Sequence, residues 1–166
     1  FLYHLAVGIE RVQKILLVII NDVERDEIED FLEKIKSHNH IMLHGKIKEK
    51  VNISFSKEQN DLLNLLSEFY NAERYARFNF FSYNFKDRDL LTEYVQKYCK
   101  NISFDYSLCK KIPLNTDEVK EFFGRVIGRL CQKYYKLCKK RNESSNWRYN
   151  SRANKKRNRV AGRRGS

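Results

Sequence analysis

LYHLAVGIERVQKILLVII, residues 2–20, sets Leu5, Ile9, Val12, Leu16 and Ile19 at steps of three and four, with Glu10, Arg11 and Lys14 elsewhere. That spacing marks an amphipathic helix whose apolar side must pack against other elements. Its last turn is apolar on nearly every face, which predicts deep burial. The apolar run 15–20 ends at Asn21 and falls far short of the roughly 20 residues a membrane span requires. The opening at Phe1, with no basic n-region, also lacks the pattern of a secretion signal.

The same periodicity recurs downstream. A second helix is predicted over 24–36, with Ile28, Phe31, Leu32 and Ile35 on one side, and a short third around 40–48. Ser56 followed three residues later by Gln59 is a capping box; the helix it opens carries Leu62, Leu66, Phe69 and Tyr70, and its spacing can run to about Phe80. Asp87 is the expected cap of a helix burying Leu90, Leu91, Tyr94, Val95 and Tyr98. Residues 101–114 hold the lone proline, Pro113, and read as an irregular connection. Asn115 with Glu118 suggests a further capping box for a long helix through Val119, Phe122, Phe123, Val126, Ile127, Leu130, Tyr134 and Leu137, ending near Asn142. Gly124 and Gly128 would let another helix approach it closely. Strand alternation is confined to short pieces such as 51–55. The expectation is an all-α chain: one bundle of about five to six helices over 1–142 and a basic arm over 143–166.

Charge separates these two parts. The 166 residues carry a net +12, of which residues 139–166 contribute 11 Lys/Arg against Glu143 alone. The body is therefore almost neutral, while the arm repels itself and calls for an anionic partner. Within it Trp147 and Tyr149 flank Arg148, followed by Arg152, Lys155, Lys156, Arg157 and Arg159. Basic groups bind phosphates by releasing counterions and aromatic rings accept exposed bases, a combination suited to single-stranded or looped RNA. A solubilising tail, or a helix folded onto an acidic protein surface, is the plainer reading.

Cys99, Cys109, Cys131 and Cys138 contain no closely spaced pair, so they read as reduced, packed thiols of a cytoplasmic protein. His38, His40 and His44 cluster, and His40 and His44 share a helix face. With no acidic ligand beside them, packing is simpler than metal ligation; no metal or cofactor is expected. His4 reads as an interior histidine and Glu10/Lys14 as an i,i+4 ion pair.

The segments HLAVGIERVQKILLVIIN, KIKSHNHIMLHGKI and LLNLLSEFYNAERYARFNF, in that order, resemble the HEPN superfamily of helical domains. The resemblance covers roughly the first 80 residues. It implies a helical bundle, often dimeric, of the kind found in prokaryotic toxin–antitoxin and phage-defence systems as an RNA-binding or RNA-cutting module. Ribonucleases of that superfamily use an Arg followed, after four to six residues, by a His. This chain departs from the pattern: the corresponding positions after Arg74 are Asn79, Phe80 and Phe81, and after Arg77 they are Ser82, Tyr83 and Asn84. Asn cannot serve as a base near neutral pH.

Three functions follow as expectations. The first is an RNA-binding module in which Arg74, Tyr75, Arg77 and the arm engage RNA; the plainer reading makes Tyr75 core and the arginines solvated. The second is a metal-independent endoribonuclease in which His40 or His44 meets Arg74 or Arg77. The third is a protein-interaction bundle, antitoxin-like, whose arm docks on an acidic partner. A homodimer is compatible with each.

Overall fold

A computed structural model of the chain describes residues 1–73, 86–100, 102–105, 112–113 and 116–161, with side chains described over 1–70, 88–100, 102–104 and 116–141. Among the described residues the architecture is six helices: α1 (Leu2–Ile20), α2 (Ile28–Lys34), α3 (His40–Lys50), α4 (Lys57–Glu73), α5 (Lys86–Tyr98) and α6 (Asp117–Ala161). A two-residue antiparallel pairing of β1 (Phe104–Asp105) with β2 (Ile112–Pro113) lies in the connection from α5 to α6. Residues 51–55, whose alternation suggested a short strand, form none. The chain is all-α, and none of the described helices is long and apolar enough to cross a membrane.

The apolar spacing explains the packing. α1 lies against α3, α4 and α6, while α4 also contacts α3, α5 and α6, so these two helices organise the bundle. Their buried faces supply Ile9, Leu16, Leu17, Leu62, Leu63 and Leu66; α3 adds Leu43 and Ile47, and α6 adds Val126 and Leu130. α5 closes one side through Tyr94 and Val95, and Tyr94 packs beside Phe122 and Phe123 of α6.

The inward stripe of α1 is Leu2, Ala6, Ile9, Gln13, Leu16 and Leu17, rotated from the expected one. Its partners cover one side only, so Leu16 and Leu17 alone of the last turn are buried and Ile15 is 57% exposed. His4 is likewise exposed, correcting the interior reading. α1 stops in a Schellman-type turn: the Asp22 N–H, at φ 54°, donates to Ile19 O and the Val23 N–H donates to Val18 O. Asp is among the few side chains that enter this left-handed region readily.

Local chemistry sets the other boundaries. α2 is shorter than predicted because 24–27 form turns. Asn39 caps α3, its Oδ1 accepting from Met42 N at 2.9 Å. The Ser56/Gln59 box is formed in both directions, Ser56 N–H to Gln59 Oε1 at 3.0 Å and Gln59 N–H to Ser56 Oγ at 3.3 Å. The expected run of α4 beyond Glu73 falls on residues outside those described. The described part of α5 already includes Lys86, so Asp87 lies within the helix instead of at its cap. Asn115 also lies outside the described residues; at α6 the cap is Thr116, whose Oγ1 accepts from Val119 N at 3.4 Å.

The largest correction concerns the arm. Its backbone continues α6 to Ala161 instead of leaving a helix that ends near Asn142. No Gly or Pro intervenes between Gly128 and Gly162, so nothing in the sequence breaks the helix. Gly124 and Gly128 are exposed, and a Cβ at either position would meet nothing within 4 Å; no described helix of the same chain uses their small size.

Leu66 is fully buried where α4 meets its neighbours. Leu66→Ala is expected to cost roughly 2–5 kcal/mol, seen as a lower urea midpoint at unchanged slope. A destabilisation below about 1 kcal/mol would contradict this packing.

Candidate functional site

Two of the three clustered histidines are interior. α3 buries His40 and His44 one turn apart, and α1 supplies Gln13 between them and α6. Gln13 Nε2 donates to His40 O and to the Tyr134 hydroxyl, both at 2.9 Å. A carbonyl oxygen can only accept, which fixes the amide orientation and makes Gln13 Oε1 the acceptor for His40 Nδ1–H at 3.1 Å. Tyr134 passes its own proton toward His44 Nδ1 at 3.0 Å. The hydrogen-bond chain therefore runs from His40 through Gln13 and Tyr134 to His44, joining three helices.

Surrounding groups hold this network in place. Ser67 of α4 accepts from the His40 and Ile41 N–H groups at 3.0 and 3.3 Å and donates to Leu63 O at 2.8 Å. His44 stacks on Phe55 at 4.2 Å, and the Phe55 edge meets Tyr134. Lys133 lies over Phe55 and donates to Ser54 O and Gln59 Oε1. Burial pushes both imidazoles down to about 4; nearby Lys48 and Lys133 reinforce this at His44, and at His40 the Glu10 carboxylate opposes it. Neutral and enclosed, these rings cannot touch a ribose hydroxyl unless the bundle opens. The His40 Nε2 lone pair is buried without a hydrogen-bond partner.

His38 differs. It is half-exposed in the loop before α3, and its Nδ1 lies 2.9 Å from Glu10 Oε2 while Glu10 Oε1 accepts from Lys14 at 2.7 Å. The ring also stacks on buried Tyr70 of α4 at 4.3 Å. Burial pushes the Glu10 carboxyl up, but the bonds from Lys14 and His38 outweigh it and hold the pKa below its ordinary value. Glu10 is thus more than half of a surface ion pair: it orients an accessible imidazole. The sequence carried no signal for this role: the apolar spacing sets Glu10 off the expected inward side of α1, and the i,i+4 pair with Lys14 is all it offers.

Arg74, Tyr75 and Arg77 lie outside the described residues, immediately after α4, and Cys109 lies outside them too. Trp147, Arg148, Tyr149, Arg152, Lys155, Lys156, Arg157 and Arg159 all fall on the distal half of α6, so one continuous helix carries them. At its root an open cleft of about 470 Å³ is lined by Ile20, Lys50, Val51, Asn52, Leu137, Lys140 and Arg141. Arg141 also reaches Asp22 at 3.5 Å. Among the described residues no cluster of His, Cys, Asp and Glu could hold a metal ion. Cys99, Cys131 and Cys138 are free thiols whose pKa values burial raises, which keeps them protonated and unreactive.

Comparison with protein-family models, curated proteins and solved structures finds no match for this chain.

The two neutral histidines make stability depend on pH. Released by unfolding, each regains a pKa near 6.5 against about 4 when folded. Between these values the unfolded chain holds more protons, so stability falls as pH drops through the window and is complete above it. Each ring contributes up to roughly 3 kcal/mol. The urea midpoint should be flat above about pH 7 and fall steadily below about 6.5; a flat midpoint down to about pH 4.5 would exclude buried neutral imidazoles. Tyr134→Phe leaves Gln13 and His44 each short of a partner, and an expected destabilisation of about 1–3 kcal/mol is measurable in the same titration.

Proposed function

We propose that this protein is an RNA-binding helical module, with the distal half of α6 as its principal RNA-contacting element. The observation that carries this reading is charge segregation: 11 of the 33 Lys/Arg lie in residues 139–166, nine of them along α6, beside a body of near-zero net charge. A helix places successive basic residues on several faces, so it can engage phosphates on more than one strand or fold of an RNA. Trp147 and Tyr149 add planar surface for unpaired bases. Arg74, Tyr75 and Arg77 belong to the same reading, as does the resemblance of the first 80 or so residues to HEPN domains. Together they support a prokaryotic phage-defence or toxin–antitoxin setting in the cytoplasm.

A second reading, a metal-independent endoribonuclease, is favoured by one observation: the oriented, accessible imidazole of His38. Glu10 fixes its Nδ1, leaving Nε2 as the atom able to exchange a proton with an RNA hydroxyl. In this form the reading uses His38 in place of His40 and His44.

Both readings are tested by incubating full-length protein with labelled single-stranded and hairpin RNAs in EDTA. Affinity should fall steeply with salt. Replacing Arg148, Arg152, Lys155, Lys156, Arg157 and Arg159 by Gln should weaken binding and reduce the slope of log affinity against log salt by about one for each phosphate the variant no longer neutralises. Unchanged affinity in that variant would refute the role of the arm. Cleavage in EDTA that drops by about 10²–10⁴-fold in His38→Ala would support the enzyme reading, and binding without cleavage would remove it. Salt-sensitive binding to an acidic protein, with no RNA bound, would move the function to protein interaction.

A further inference from the structure

We infer that the acidic stretch from Glu24 to Asp30, which leads into α2, is a docking surface for the basic arm of a second copy of this chain. The inference uses the charge of the arm and not its other ligands, so it is independent of the RNA-binding reading. Residues 24–30 hold five carboxylates, Glu24, Asp26, Glu27, Glu29 and Asp30, against Arg25 alone. All five are exposed, and among the described residues none of them takes part in an ion pair. Elsewhere on the body carboxylates are matched: Glu10 with Lys14, Glu33 with Lys36, Asp61 with Lys97 and Asp117 with Lys120.

Stabilising the start of α2 is the competing explanation, and it accounts for only part of this charge. A helix N-terminus is equivalent to roughly half a positive charge, felt within the first turn, where Glu29 and Asp30 already stand. Glu24 and Asp26 lie ahead of the helix, and Glu27 at its N-cap makes no capping bond through its side chain. Like charges crowded in this way repel one another, so a cationic partner would stabilise the stretch. α2 is open to one: none of its residues is buried, it packs chiefly on α1, and Leu32 is exposed beside its acidic residues.

The complementary charge is on the same chain. Between Trp147 and Ala161, α6 carries six cations, Arg148, Arg152, Lys155, Lys156, Arg157 and Arg159, and no carboxylate. Arg141, 3.5 Å from Asp22, sets the root of the arm beside the start of the acidic stretch. From Arg141 the helix continues to Ala161, a run of about 30 Å. An unbroken helix cannot turn back on itself, so its distal cations reach the acidic stretch of another copy instead of their own. Because root and acidic stretch adjoin in each copy, two copies with antiparallel arms bring each arm onto the other's carboxylates at once. Such a two-fold pairing is closed and self-complementary. Cations engaged in it are withheld from other anions, which makes the arm's availability depend on protein concentration and salt.

Sedimentation velocity of the full-length protein at about 50 and 500 mM salt tests the pairing, since salt screens exposed charges. The wild type is expected to be dimeric at low salt and monomeric at high salt. Glu24→Lys/Asp26→Lys/Glu27→Lys reverses the acidic stretch while leaving Glu29 and Asp30 to hold the start of α2, and replacing the six arm cations by Glu reverses the arm. Each variant alone should be monomeric at low salt. An equimolar mixture of the two should restore the dimer, because each arm again meets an opposite charge. Circular dichroism reports whether both variants fold, and Glu24→Gln/Asp26→Asn/Glu27→Gln, which removes the charge without reversing it, should weaken the dimer about tenfold. A wild type monomeric at low salt up to about 100 μM, a dimer that persists at high salt or survives either reversal, or two folded variants that do not pair when mixed would each overturn the proposal.

Discussion

The bundle depends on one side-chain amide. Gln13 sits fully buried on α1 and satisfies a main-chain carbonyl and an imidazole of α3 together with a hydroxyl of α6. Polar groups without partners in an apolar interior each cost about 1–3 kcal/mol. The three helices are thereby held in one relative arrangement, since sliding any of them would break several of these bonds at once. Apolar contacts supply the larger share of the stability but tolerate small shifts in register; the Gln13 network does not.

That constraint places the surface features. Fixing α3 against α1 brings His38, just ahead of α3, over Glu10, while Tyr70 of α4 forms the floor beneath its ring. Fixing α6 through Tyr134 sets the point at which the basic half of the helix departs. The ends of α1 and α3 then lie beside Leu137, Lys140 and Arg141. An interior hydrogen-bond chain thus positions an accessible imidazole and a basic cleft, although neither belongs to it.

Much of the fold was legible because it depends on periodicity and caps. The apolar steps of α1, the Ser56/Gln59 box and the long stripe from Val119 to Leu137 all correspond to elements of the bundle. What sequence spacing concealed was rotation and partner choice. Gln13 looks like an ordinary polar residue on the outer side of α1, and only the arrival of α3 and α6 reveals that it faces inward. Likewise His40 and His44 share a helix face in either case, but burial by Phe55 and Tyr134 depends on residues distant in sequence. The arm was recognised by charge, whereas its helicity followed from the lack of any Gly or Pro before Gly162, a signal that the expected self-repulsion masked. The cleft has no motif at all, since it is assembled from three separate segments.

Ultraviolet crosslinking of full-length protein to a single-stranded RNA, with the attachment sites mapped by mass spectrometry, tests the central claim most directly. Crosslinks are predicted to concentrate at Trp147 and Tyr149 on the distal half of α6, and to be suppressed by high salt. Crosslinks confined to other surfaces, or no salt-sensitive crosslinks to α6, would contradict it.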